Sequence, residues 1–131
     1  MIKSILKQPD YQTQFTNGNN VCISDTTIDK GGSGEGFRPH ELLEAALANC
    51  MNISIRMFAR EHSIPLSSIS TMVTLDRSSS DEVCFKYSIK FPDNISEEDR
   101  QTLLKVVKSC PVRNTLLKKI RFKKYGKDYS L

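Results

Sequence analysis

Four cysteines are the residues of this 131-residue chain best suited to covalent chemistry. Cys22, Cys50, Cys84 and Cys110 lie at least 26 residues apart, and no C-x-x-C pair occurs. This spacing argues against a structural zinc site. Isolated thiols can still act as nucleophiles, become oxidised or exchange disulfides. The first question is therefore which of the four thiols the fold activates.

Cys22 and Cys84 fall in segments with alternating apolar and polar residues, which predicts strands. A free cysteine in a strand usually packs as a small apolar residue. We therefore expect structural roles for both.

Cys50 lies in the middle of the strongest predicted helix, which begins at Pro39 and runs to about Glu61. Apolar residues from Leu42 to Ala59 cover most of its circumference, so we expect burial on most sides, with a second subunit as cover. Burial raises the pKa of a thiol, and a helix dipole acts only at the helix ends. A Cys50 thiolate would therefore need a cation or another donor from elsewhere.

Cys110 directly precedes Pro111 and a predicted short helix through Leu117, which places it near the N-cap. Unpaired N–H groups at a helix start, and a cation such as Arg113, lower the pKa of a thiol. Local sequence therefore favours Cys110 as the thiolate, although an ordinary helix start has the same pattern.

The remaining elements follow from alternation, turn residues and caps. Asn17-Gly18 predicts the turn of a hairpin over residues 10–24, and residues 29–36 form a glycine-rich loop. Further predicted elements are two strands, around residues 69–75 and 83–91, a helix capped by Ser96 and Asp99, and a final strand from Ile120 to Tyr125. The order is typical of an α+β fold, and we expect one domain over residues 1–131.

Charge and hydropathy restrict the location and the partners. No apolar run reaches signal-peptide or membrane-span length, so we expect a cytoplasmic protein that does not span a membrane. The net charge of +4 is concentrated near the end of the chain, at Lys118, Lys119, Arg121, Lys123, Lys124 and Lys127. We interpret this cluster as a solvated edge strand. A nucleic-acid patch is the alternative, and no aromatic series or binding motif accompanies it.

Two segments resemble the signature segments of the OsmC/Ohr family, the osmotically inducible and organic hydroperoxide resistance proteins. They are P-H-E-L-L-E-A-A-L-A-N-C, from Pro39 to Cys50, and S-C-P-V, from Ser109 to Val112. G-G-S-G-E-G-F-R-P precedes the first, and its last two residues begin an R-P-x-E-L-L pattern typical of one branch. The resemblance covers roughly residues 10–125. It implies an OsmC-like fold and an intertwined homodimer with a central buried helix.

The resemblance also implies a thiol peroxidase that acts on hydrophobic organic hydroperoxides. Cys50 would attack the peroxide, Cys110 would resolve the sulfenic acid, and an external dithiol would restore both thiols. No metal, flavin or nucleotide cofactor is implied.

Arg38, His40 and Glu41 are further candidate catalytic residues. His40 stands where peroxidases of the family have a glutamate, and residues 1–30 contain no arginine, which those enzymes place in an early strand. His40 and Glu41 precede Cys50 by about 13–15 Å along a straight helix, so contact with that thiol requires a relay residue or the second subunit. The missing arginine keeps an alternative open, a dimeric protein that binds a hydrophobic ligand without catalysis.

Overall fold

The computed structural model describes residues 1–8 and 10–124. Within these residues the chain forms five β-strands and three α-helices, and the predicted α+β class is confirmed. The chain divides into two compact units. The first unit comprises Met1–Leu42 with the residues after Arg121, and the second comprises Leu43–Arg121. No helix among the described residues is both long enough and apolar enough to cross a membrane.

The first unit contains a three-stranded antiparallel sheet. Its strands are β1 (Lys3–Leu6), β2 (Thr13–Thr16) and β3 (Val21–Ser24), in the order β1-β2-β3. The hairpin predicted around Asn17 and Gly18 is confirmed by the pairing of β2 with β3. The Asn17 side chain accepts hydrogen bonds from the backbone N–H groups of residues 19 and 20, which fixes the turn.

A buried carboxylate organises the glycine-rich segment of the first unit. Asp25 is only 4% exposed, and its Oδ2 accepts hydrogen bonds from the Ser33 hydroxyl at 2.5 Å and the Ser33 N–H at 3.0 Å. The Thr26 N–H donates to Oδ1 of Asp25 at 2.7 Å. The hydrogen bond from the Ser33 hydroxyl is the main reason that the pKa of Asp25 lies below its usual range. The predicted loop begins with a single 3-10 turn at Ile28–Lys30, and the path of its remaining residues depends on this carboxylate.

The second unit contains most of the long helix and a second hairpin. Helix α1 (Pro39–Glu61) matches the predicted bounds, and β4 (Ser70–Asp76) pairs with β5 (Cys84–Lys90) in antiparallel register. Side chains of α1 bind the β4 strand at two points. Glu44 Oε1 accepts from the Leu75 N–H at 2.7 Å, and the Thr71 hydroxyl donates to Asn52 Oδ1 at 2.5 Å.

Two shorter helices follow the hairpin. Helix α2 (Glu97–Val106) begins after Ser96, whose hydroxyl oxygen accepts from the Asp99 N–H at 3.0 Å, which confirms the predicted cap. A single 3-10 turn at Val107–Ser109 then leads to α3 (Pro111–Leu116).

The apolar core of the second unit is built on one stripe of α1. Its members are Leu47, Met51, Ile55, Ala59, Leu66, Phe91, Ile95, Leu103, Val107 and Cys110. Burial on most sides of α1 does not occur within the single chain. Leu43, Ile53 and Met57 on α1 are 45%, 59% and 67% exposed.

The end of the described chain differs from the prediction. Ile120–Lys124 form no strand, and Phe122 is 97% exposed. Alternating apolar and basic residues favour an extended chain, but a strand also needs a neighbour with which to exchange hydrogen bonds. None of the described strands pairs with this segment. Tyr125 and Lys127 lie outside the described residues.

Candidate active site

The second unit brings the thiols of Cys50 and Cys110 together. Cys110 is fully buried in the apolar core, and Cys50 is half-buried on α1 and packs against that core. The Cys110 side chain hydrogen-bonds the Cys50 side chain. Both cysteines are free thiols. The structure therefore brings two reduced thiols close enough for each to affect the pKa of the other, and water is largely excluded from that of Cys110.

Three hydrogen-bond donors face the sulfur of Cys50. Burial acts to raise the pKa of this thiol, but donors at the Cys110 thiol, the backbone N–H of Val112 and the Ser54 side chain favour the thiolate. Together they hold the pKa of Cys50 below that of an ordinary thiol. The activating groups are neutral dipoles rather than a cation.

Cys110 has the opposite shift. Burial raises the pKa of Cys110, and its hydrogen bond to Cys50 raises it further. The backbone N–H groups of Arg113 and Val112 favour a Cys110 thiolate, but they do not outweigh the burial. The local-sequence argument that made Cys110 the better thiolate is therefore wrong. The N–H groups at the start of α3 favour the Cys110 thiolate as predicted, but the complete burial of the sulfur outweighs them.

The link between α2 and α3 explains how the N–H of Val112 reaches Cys50. The Ser109 hydroxyl donates to the Val106 carbonyl at 2.8 Å, and the Cys110 N–H donates to the Val107 carbonyl at 3.2 Å. Both bonds close the 3-10 turn that ends α2. Pro111 disfavours helical geometry at the preceding residue, and Cys110 has φ −54° and ψ 121°. Helix α3 then begins anew, with its first N–H groups directed to the two thiols.

Ser54 was missed by the sequence analysis, although a signal for it exists. It lies four residues after Cys50 on α1, and residues at that spacing share a helix face. The effect of the Val112 N–H on Cys50 could not be predicted in this way, because it depends on a contact between residues 62 positions apart.

Arg38, His40 and Glu41 belong to the first unit. Arg38 Nε donates to Glu41 Oε1 at 2.8 Å, and the Arg38 backbone N–H donates to Glu41 Oε2 at 2.8 Å. The hydrogen bonds from Arg38 hold the pKa of Glu41 below its usual range. His40 is exposed as the second residue of α1. The structure thus brings Arg38 and Glu41 together at the start of the helix.

Cys22 and Cys84 lie where they were predicted, on β3 and β5. Both are exposed, so the expectation that they pack as small apolar residues is wrong. The described residues contain no group of three or more histidine, cysteine, aspartate or glutamate side chains placed to hold a metal ion.

The described part of the chain thus has an α+β fold in which two reduced cysteines, one on α1 and one directly before α3, lie close together. The sequence profile of the family described as OsmC-like protein matches residues 32–123. The chain belongs to the OsmC-like family, whose OsmC and Ohr members are redox proteins.

Solved structures with the same fold come from several bacteria. A Psychrobacter arcticus protein assigned to osmotic stress induction and detoxification response is 27% identical, with a TM-score of 0.72 over 87% of this chain and 85% of that one. An OsmC-like protein from Mycoplasma pneumoniae is 22% identical, with a TM-score of 0.69 over 88% and 85%. The organic hydroperoxide resistance protein OhrB of Bacillus subtilis is 17% identical, with a TM-score of 0.62 over 89% of each chain. A search of curated proteins finds no match.

Proposed function

We propose that this protein reduces organic hydroperoxides, with Cys50 as the attacking thiolate and Cys110 as the resolving thiol. The observation that supports this assignment most strongly is the difference in surroundings: Cys110 is fully buried in the apolar core, whereas Cys50 is half-buried and has hydrogen-bond donors that lower its pKa. Attack on a peroxide requires a thiolate, and Cys50 is the member of the pair whose thiolate is stabilised. Cys110 stays protonated until it is needed for the second step.

The reaction uses the two thiols of the site and two reactants from solution, the hydroperoxide and a dithiol. The Cys50 thiolate attacks the distal oxygen of the hydroperoxide, the O–O bond breaks, and the alkoxide leaves and takes a proton to become an alcohol. Cys50 is then a sulfenic acid. The Cys110 thiol attacks its sulfur, water leaves, and a disulfide forms. An external dithiol reduces that disulfide by exchange and becomes oxidised itself.

The surroundings of Cys50 favour an apolar substrate. Leu43, Ala46, Cys50, Ile53 and Met57 recur at intervals of three and four residues, so they share one face of α1. We call these five residues the α1 seam. An alkyl or acyl hydroperoxide could bury its chain on the seam beside the thiol, whereas hydrogen peroxide gains nothing from it. The name of OhrB of Bacillus subtilis, an organic hydroperoxide resistance protein, fits this substrate class.

We also propose a homodimer in which a second copy covers the α1 seam. The spacing of the seam is that of helix pairs packed side by side, and three of its side chains are at least 45% exposed. Such a dimer would place Cys50 at the subunit interface. We assign the chain to the R-P-x-E-L-L branch of its family on the residues from Arg38 to Leu43. Four free thiols are consistent with the reducing cytoplasm.

The proposal is tested by mass analysis after one equivalent of cumene hydroperoxide. In the wild type we expect one disulfide, between Cys50 and Cys110. In Cys110→Ser the reaction should stop at a sulfenic acid on Cys50 that dimedone traps. Cys50→Ser should consume the peroxide at least about 10³-fold more slowly, since it lacks the nucleophile.

Matched controls come from the exposed thiols. Cys22→Ser and Cys84→Ser should react as the wild type does. A rate in the wild type no faster than that of free cysteine would refute the peroxidase. Binding of a hydrophobic ligand without catalysis would then be the better account.

The candidate residues at the helix start need a separate test. If Arg38 and Glu41 take part in catalysis, Glu41→Gln should lower the second-order rate with peroxide. If they only cap the helix, Glu41→Gln should change thermal stability alone. Lys30→Gln is a control for loss of an exposed charge in the same unit.

A further inference from the structure

The second unit contains an apolar cavity that neither Cys50 nor Cys110 lines. Its volume is about 360 Å³, within the range of small-molecule sites. Buried side chains of α1 line one side of it, and side chains of β5, α3 and the segment after α3 line the rest. Its apolar lining includes Leu47, Met51, Val83, Phe85, Leu116 and Ile120. Such a lining favours an aliphatic chain.

One cationic side chain lines this cavity. Arg113 of α3 is half-buried, and its guanidinium Nη1 lies 3.4 Å from the Lys108 carbonyl oxygen. None of the ion pairs among the described residues includes Arg113. A guanidinium presents several N–H donors, and one carbonyl engages only part of them. Arg113 can therefore bind an anionic group without breaking an existing ion pair.

Two further cations adjoin the lining in sequence. Lys118 and Lys119 stand between two lining residues, Leu117 and Ile120, and both lysines are exposed. Arginine binds carboxylates through paired hydrogen bonds that are stronger than those between neutral groups. The cavity thus combines an apolar interior with a cationic residue in its wall.

We propose that this cavity binds an amphipathic carboxylate, with its aliphatic chain among the apolar side chains and its carboxylate on Arg113. The site is separate from the thiol pair, so its occupancy can be measured without peroxide.

Cys84 provides the test, because it is exposed and lines the same cavity. Octanoate, below its micellar concentration, should slow the alkylation of Cys84 by iodoacetamide in a saturable way. Cys22 is the internal control, since it is also an exposed thiol but lies on β3 in the other unit. Peptide mass analysis reads both rates in one sample. Octanol, which has the same chain and no charge, should protect Cys84 at least about tenfold more weakly.

Substitutions of Arg113 test whether its charge binds the carboxylate. Arg113→Gln should weaken octanoate protection about tenfold, while Arg113→Lys should retain part of it because the charge remains. Lys124→Gln, an exposed cation outside the cavity, should have no effect. Equal protection by octanol and octanoate, or equal protection of Cys22 and Cys84, would overturn the proposal. If Arg113→Gln fails to fold, the comparison of octanoate with octanol in the wild-type chain decides it.

Discussion

Different interactions stabilise the two units of this chain. Every buried apolar residue in the described part of the chain belongs to the second unit, where α1, the hairpin and α2 share one core. The buried residues described for the first unit are Ser24 and Asp25, both polar. Its sheet depends on backbone pairing, and its loop depends on hydrogen bonds to a carboxylate.

This difference explains why the two thiols with shifted pKa values lie in the second unit. An apolar core excludes water and acts to raise the pKa of a thiol, so a few fixed donors decide which of two thiols ionises. In the first unit the charges of Arg38 and Glu41 largely satisfy one another. Neutral donors beside a buried core set the pKa of each thiol, whereas the Arg38–Glu41 ion pair lies on the surface at the start of α1.

The largest effect should come from opening the core of the second unit. Leu103 is fully buried, and Leu103→Ala should lower the free energy of unfolding by about 2–5 kcal/mol, because it leaves a cavity. Leu6→Ala is the matched control, since Leu6 is 67% exposed on β1 of the first unit. Urea unfolding measures both. Equal losses would show that the contrast between the two units is wrong.

A smaller effect should come from the backbone of the first unit. Gly36 has φ +93°, and an added Cβ would lie 2.7 Å from the Ile23 carbonyl oxygen. Gly36→Ala should therefore destabilise the protein by about 1–3 kcal/mol. Gly18→Ala is the control, with φ +100° and no atom within 4 Å of the added Cβ, so it isolates the cost of the dihedral angle. The prediction fails if the two variants unfold at the same urea concentration.

The smallest expected effect is on the pH dependence of thermal stability. The pKa of Asp25 is lowered in the folded chain, mainly by Ser33, so its ionised form stabilises the fold above the unfolded pKa of about 3.9. That contribution is lost as the pH falls through the lower folded value. Asp25→Asn should remove this part of the pH dependence of Tm between neutral and acidic pH, and Ser33→Ala should reduce it. If the pH dependence of Tm is unchanged in both variants, the Asp25 carboxylate does not stabilise the glycine-rich loop.

The elements were predictable where local sequence decides them. Pro39 marks the start of α1, Ser96 with Asp99 marks the start of α2, and alternation identifies β5. Strand β1 was not predicted, because its four residues, Lys3–Leu6, show too little alternation to indicate a strand without knowledge of β2. The segment Ile120–Lys124 had a strand pattern and no pairing partner among the described strands.

The motifs in the sequence indicate which two cysteines to consider, but not the electrostatics around them. Cys50 and Cys110 were identified from motifs, yet the direction of each pKa shift depends on burial and on contacts between α1 and α3. Such contacts join residues about sixty positions apart, and periodicity says nothing about them. Ser54 could have been found from its helical spacing alone.

The rate of alkylation of each cysteine as a function of pH tests the central claim most directly. Iodoacetamide labelling with peptide mass analysis should give Cys50 a midpoint below that of an ordinary thiol, about 8.5, and Cys110 a midpoint above it. Ser54→Ala should raise the midpoint of Cys50 and leave the exposed thiol of Cys22 unchanged. A lower midpoint for Cys110 than for Cys50 would contradict the assignment of Cys50 as the attacking thiolate.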